Sequence, residues 1–132
     1  MDRRAHVLVV EDNSEGREPL CAVLELDGYR VTSANTGRTA LALLDADRVD
    51  TVILDLGLPD MDGVEIIRAV RSRPDPPAVL VFSGHHSLRE IPEVGACDGF
   101  ILKPDLGGLL ARLKAIVEDR RASAPPRSSK RA

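Results

Sequence analysis

Aromatic residues are nearly missing from this chain, with two phenylalanines, one tyrosine and no tryptophan among 132 residues. Any interior must be built from Val, Leu, Ile and Ala, and a hydrophobic content of 43% is enough to build one. Cysteine is scarce as well. Cys21 and Cys97 stand in no metal-binding or redox spacing, so they read as reduced packing residues of a cytosolic protein. No apolar run reaches signal-peptide or membrane-span length, and that in the amino-terminal MDRRAHVLVV is far too short. The expectation is a soluble, cytoplasmic protein. Charge of one sign is not in large excess either; at −3, the net charge does not point to nucleic acid. The acidic surplus belongs to the body, because the last stretch, RRASAPPRSSKRA, is basic and too short to suggest more than a solvated run. The length suits one domain. The reading is a domain over residues 1–120 and a basic, Ser/Pro-rich disordered tail over 121–132.

What the chain does have is a regular alternation. HVLVV (His6 to Val10) reads as a fully buried strand. An amphipathic helix follows, with Leu20, Val23 and Leu24 on one face, and closes at Gly28. Pro19 is expected in or near its first turn, where a missing N–H matters least. YRVTSA (Tyr29 to Ala34) alternates as a half-exposed second strand, and TGRTALALLDA is a helix turning Leu41 and Leu44 inward. TVILD (Thr51 to Asp55) is the third strand, GVEIIRAVRSR a helix stopping before Pro74, AVLVFS (Ala78 to Ser83) the fourth strand and GFILK (Gly99 to Lys103) the fifth. A last helix carries Leu106, Leu109, Leu110, Leu113, Ile116 and Val117. Repeated strand-then-helix units imply an α/β protein with a parallel sheet covered on both faces. Such sheets bind ligands at the carboxyl ends of their strands.

Those ends carry chemistry. The first strand ends in Glu11-Asp12, the third in Asp55, the fourth in Ser83-Gly84 and the fifth in Lys103-Pro104. The stretch VILDLGLPDMDG places the Asp55 carboxylate where a buried strand stops, which is costly unless something compensates the charge. Two like charges about 4 Å apart repel by roughly 4 kcal/mol at an effective dielectric near 20. Three crowded carboxylates therefore call for a divalent cation, and hard oxygen ligands suit Mg²⁺. Lys103 adds a mobile positive charge and Ser83 a hydroxyl. The set suits phosphoryl transfer to a carboxylate.

VLVVEDN, VILDLGLPDMDGVEII, VLVFSG and FILKP together resemble the receiver domain of bacterial two-component and phosphorelay response regulators, from about His6 to about Val117. The resemblance implies a flavodoxin-like, doubly wound five-stranded parallel sheet in the order 2-1-3-4-5 with five helices. It implies Asp55 as the phosphoacceptor. Glu11, Asp12, Asp55 and the Gly57 backbone carbonyl would hold Mg²⁺, with Ser83 as the switch hydroxyl, Lys103 as the phosphate-binding lysine and Phe100 at the aromatic switch position. The implied donor is a phosphohistidine on a sensor histidine kinase or histidine phosphotransfer protein. The aspartyl phosphate would draw in Ser83 and Lys103, let Phe100 turn inward and reshape the surface of the fourth helix, fifth strand and fifth helix. The only reactions implied are the protein's own phosphorylation and dephosphorylation.

The segment from Ser83 to Lys103 is short for that family and contains Pro92, so the fourth helix is expected to be short or irregular. Ser87-Leu88-Arg89-Glu90 has the form of a capping box and predicts a helix start near Ser87. Gly57 offers no acidic or amide side chain to assist hydrolysis, and His85 and His86 read as solvated loop residues. Most members carry an output domain, so the chain reads as a stand-alone receiver or as the receiver part of a longer regulator. Met1 and the Lys130-Arg131-Ala132 ending favour the stand-alone form. An unknown downstream protein and a homodimer are open as partners. A membrane is not expected, nor is nucleic acid without an output domain. The alternative is a degenerate receiver that docks proteins without phosphorylation. A haloacid-dehalogenase-type phosphatase would want a second Asp where Gly57 stands. A nucleotide site would want a Gly-rich loop where EDNSEG stands.

Overall fold

The computed structural model describes residues 4–123. Five strands, β1 (His6–Val10), β2 (Arg30–Ala34), β3 (Thr51–Leu54), β4 (Ala78–Ser83) and β5 (Gly99–Leu102), form one parallel sheet in the order 2-1-3-4-5. The inner strands are apolar because both sheet faces are covered. Their alternation divides them between two cores. Leu8, Val10, Val52, Leu54, Val79 and Val81 pack with α2 (Gly37–Ala46), α3 (Gly63–Arg71) and α4 (Pro92–Gly95). Val7, Val9, Ile53 and Leu80 face the other way, onto α1 (Ser14–Leu26) and α5 (Leu106–Ser123). Leu109, Leu113 and Val117 of α5 are buried there, with Leu106, Leu110 and Ile116 half-buried beside them. Cys97 packs against the first core and Cys21 against the second, both as free thiols.

α1, α2 and α3 start where short polar side chains accept first-turn N–H groups. Asn13 accepts from Glu15, Thr36 from Thr39 and Asp62 from Val64. Asp60, in the loop after β3, reaches across to accept from the Gly37 and Arg38 N–H groups at 2.8 and 3.0 Å. That loop is also gripped by α3. A Cβ on Gly63 would stand 2.5 Å from Leu56 Cδ2 and 2.9 Å from Leu56 Cα, so only glycine permits the approach.

Two expectations need correction. Pro19 is the sixth residue of α1 and lies inside the helix rather than in its first turn. The segment after β4 is short and irregular as expected, a 3-10 turn over His86–Glu90 followed by the single-turn α4, but the α-helix does not start near Ser87. Ser87 caps nothing, and Pro92 starts α4 instead of ending a helix, because its fixed φ and missing N–H suit the first position. α5 runs to Ser123, three residues past the expected end of the domain at 120. The rest of the expected tail, 124–132, lies outside the described residues.

Candidate functional site

Because β1, β3, β4 and β5 are sheet neighbours, the residues that follow them meet on one rim. Glu11 continues the β1 ladder through its N–H to the Ala34 carbonyl, at 3.0 Å, and the residue is buried at 6% exposure. Asp12 beside it is exposed. Arg17, the fourth residue of α1, donates to the carbonyls of Glu11 and Asp12 at 2.9 and 3.3 Å and fixes the turn between strand and helix. Asp55 follows β3 directly, its N–H on the Val10 carbonyl at 3.0 Å. One carboxylate oxygen from each of Glu11, Asp12 and Asp55 can lie within 4.8 Å of the others.

Lys103 arrives from the far side. Its N–H bonds the Ser83 carbonyl at 2.8 Å, and its peptide bond to Pro104 is cis. The ammonium donates to Asp55 Oδ2 at 2.8 Å and to Glu11 Oε1. Asp55 Oδ1 accepts the Gly57 N–H at 3.1 Å. Burial pushes the Asp55 carboxyl up, but the bonds from Lys103 and Gly57 outweigh it and hold it below the ordinary carboxylate value. Glu11 goes the other way. Its burial, with the Asp55 charge, lifts its carboxyl above the ordinary value despite Lys103. Burial alone would lower the Lys103 ammonium, yet its two carboxylate partners raise it. Asp55 is thus held ionised, and Glu11 is the reluctant anion of the pair.

One ammonium cannot neutralise three carboxylates. The remaining negative charge, the hard oxygen donors and the exposed Asp12 fit a divalent cation open to solvent on one side.

Ser83 is buried at 2% exposure beside this cluster, but its hydroxyl accepts the His85 N–H at 3.4 Å and bonds neither Asp55 nor Lys103. Phe100 is half-buried against the first core, with the Arg89 guanidinium 5.4 Å from its ring centre. His85 and His86 are exposed, as read from the sequence. Gly57 is exposed too, and a Cβ there would sit 3.8 Å from Asp55 Oδ1, so one side of the carboxylate is open. Gly84 has nothing near it, so its lack of a side chain is not a steric requirement. Sequence reasoning missed Arg17, Arg89 and Phe82. Phe82 stands with its ring centre 5.7 Å from Lys103 Nζ. The only signal for it was the strand alternation that puts Phe82 on the same face as Ile101.

Comparison with known proteins places this arrangement. Response regulator MprA of Mycolicibacterium vanbaalenii is 40% identical over 115 residues, covering 84% of this chain and 49% of that protein. The chain spans about half the length of the curated relatives it matches. A CheY-like receiver domain protein from Methanospirillum hungatei superposes with a TM-score of 0.83 at 26% identity, covering 92% of this chain and 99% of its own. Response regulator TrrA of Thermotoga maritima, solved with Mg(2+)-BeF, has a TM-score of 0.80 at 26% identity, covering 85% of this chain and 98% of its own. TrrA has also been solved in complex with histidine kinase ThkA. The family model of the response regulator receiver domain matches residues 7–114. That match runs from the second residue of β1 into α5 and takes in every strand end described above, and on it the chain belongs to the response regulator receiver domain family.

Proposed function

We propose that Asp55 accepts a phosphoryl group from a phosphohistidine on a sensor histidine kinase or histidine phosphotransfer protein, and that the phosphorylated domain presents an altered surface to a downstream protein. The observation that carries this reading is the Lys103 ammonium bound to Asp55 and Glu11 at the meeting point of three strands. A carboxylate kept ionised at an open strand end is a nucleophile. Its oxygen forms a bond to phosphorus while the phosphorus–nitrogen bond to the donor imidazole breaks, and that nitrogen keeps the electron pair. Glu11, Asp12, Asp55 and the Gly57 carbonyl would hold Mg²⁺, which when bound offsets negative charge on the transferring group. The Gly57 N–H orients Asp55 through Oδ1. Lys103 follows the charge from the carboxylate to the phosphoryl oxygens through charge-assisted bonds. Ser83 is the nearby hydroxyl that turns toward the new group. Space opened by Ser83 is then available to Phe100, and the β5 surface changes with it.

TrrA, solved with Mg(2+)-BeF in one structure and with a histidine kinase in another, supports this reading. The protein works in the cytoplasm and is no turnover enzyme, since its chemistry begins and ends on its own Asp55. No helix among the described residues is long and apolar enough to cross a membrane.

Intact mass after incubation with Mg²⁺ and acetyl phosphate tests the proposal. One added phosphoryl group is expected, absent in Asp55→Asn and absent with EDTA. If neither acetyl phosphate nor a beryllofluoride titration followed by NMR produces a change, the phosphoacceptor reading fails. The protein is then a phosphorylation-independent docking module, for which the curtailed α4 region is the motivating feature.

A further inference from the structure

Both phenylalanines of this aromatic-poor chain face a cation, Phe100 the Arg89 guanidinium and Phe82 the Lys103 ammonium. The second contact lies at the reacting centre. β4 and β5 pair Phe82 with Ile101, and Lys103 follows two residues later on the same side of the sheet. The ring is half-buried among the residues of the α1/α5 core, so its position is set by packing. Lys103 Nζ lies over it, 5.7 Å from the ring centre, within the range of a cation–π contact.

Lysine needs such a wall here. Its ammonium is strongly hydrated and sits on a flexible four-carbon stem, and this side chain keeps 31% exposure. Two of its three N–H donors go to Asp55 and Glu11, and among the described residues no other oxygen takes the third. The ring face attracts the ammonium by its quadrupole without offering a hydrogen-bond acceptor. An acceptor in that place would hold the lysine back when the charge it must follow moves from carboxylate to phosphoryl oxygen. An aliphatic side chain would exclude water on that side but supply no attraction.

We propose that Phe82 is a positioning residue for the phosphoryl-transfer site, holding the Lys103 ammonium over the Asp55–Glu11 pair. This rests on the phosphoacceptor reading of the same site. The contact is half exposed, so its loss is worth about a two- to fivefold change in rate.

The test uses the whole protein with Phe82→Leu and Phe82→Tyr, both melted first to show that they fold. Two measurements follow. In the unphosphorylated protein, the Lys103 ε-methylene proton resonance reports the ring directly, because a proton over an aromatic face is shifted upfield. Phe82→Leu is expected to remove that shift and Phe82→Tyr to keep it. With acetyl phosphate and Mg²⁺, the phosphorylation rate by intact mass is expected to fall about two- to fivefold in Phe82→Leu and to recover in Phe82→Tyr. A Phe82→Leu protein that keeps the wild-type rate, or a Tyr variant that is as slow as the Leu variant, overturns the proposal. A wild type that accepts no phosphoryl group instead overturns the reading of the site. The Lys103 resonance then still decides whether the ring holds the ammonium, and an unshifted resonance in the wild type shows that it does not.

Discussion

Thr51 opens β3 with its side chain fully buried and its hydroxyl without a hydrogen-bond partner. A buried, unpaired polar group costs about 1–3 kcal/mol, whereas an apolar group of the same shape carries no such penalty. Valine is that shape and suits a central strand. Thr51→Val is expected to raise stability by about 1 kcal/mol. A urea titration checks it: the midpoint should rise with an unchanged slope, and a fall would mean that the hydroxyl has a partner such as a bound water. At this scale the sequence was readable wherever a residue carries unusual chemistry for its place. Asp55 and Lys103 could be picked out because a charge ending a buried strand needs a reason, and the structure brings the two together at 2.8 Å. Phe82 and Arg17 could not. A phenylalanine in a β-strand and an arginine on a helix are the expected residues there, and what distinguishes them is a neighbour supplied by another strand or turn.

Pro19 shows how far a local rule reaches at the scale of an element. The rule places proline in a first turn, but α1 carries it at the sixth position, so the Glu15 carbonyl has no N–H from residue 19 to accept. Burial of Leu20 and Leu24 keeps the helix continuous through that defect. Proline inside a helix costs roughly 3 kcal/mol, of which the stiffer unfolded chain returns up to about 1. Pro19 is exposed, so Pro19→Ala removes no core contact and is expected to stabilise the domain by about 1–2 kcal/mol. Chemical denaturation measures this, and an unchanged or lower stability would show that the ring of Pro19 is needed to seat α1. The region after β4 repeats the lesson. Pro92 correctly announced a broken helix, but the Ser87 capping pattern misplaced its start. Tertiary contacts decided the matter. Val94 is buried in the first core, and Arg68 and Arg71 of α3 bind Glu93 and the Ala96 carbonyl, anchoring the helix where Pro92 can begin it.

For the whole molecule, strand-then-helix alternation implies a parallel sheet, the family resemblance implies its order, and that order delivers the site. In the order 2-1-3-4-5, strands 1, 3, 4 and 5 are neighbours, so Glu11, Asp12, Asp55, Ser83 and Lys103 share an edge. The stability of that edge is consequently tied to charge. Three carboxylates converge there with one ammonium, and Glu11 is held above its ordinary value by burial and the Asp55 charge. The unfolded chain spreads the same groups apart, so a divalent cation gains its full set of ligands only on the folded protein. Binding of that kind stabilises by RT ln(1 + [L]/Kd), about 2.7 kcal/mol at a hundredfold excess over Kd, and for a domain of this size raises Tm on the order of 10 °C. Melting in rising Mg²⁺ at constant ionic strength is therefore expected to show a saturating increase in Tm that EDTA reverses. Asp12→Asn should flatten the increase while leaving the fold intact, because Asp12 is exposed and carries no packing. Matched sodium chloride should give much less, since monovalent ions only screen these charges while a divalent cation is held by several ligands at once. An increase of equal size with sodium, or one that survives in Asp12→Asn, would mean that the edge is relieved by general screening and that the three carboxylates do not act together as a metal site.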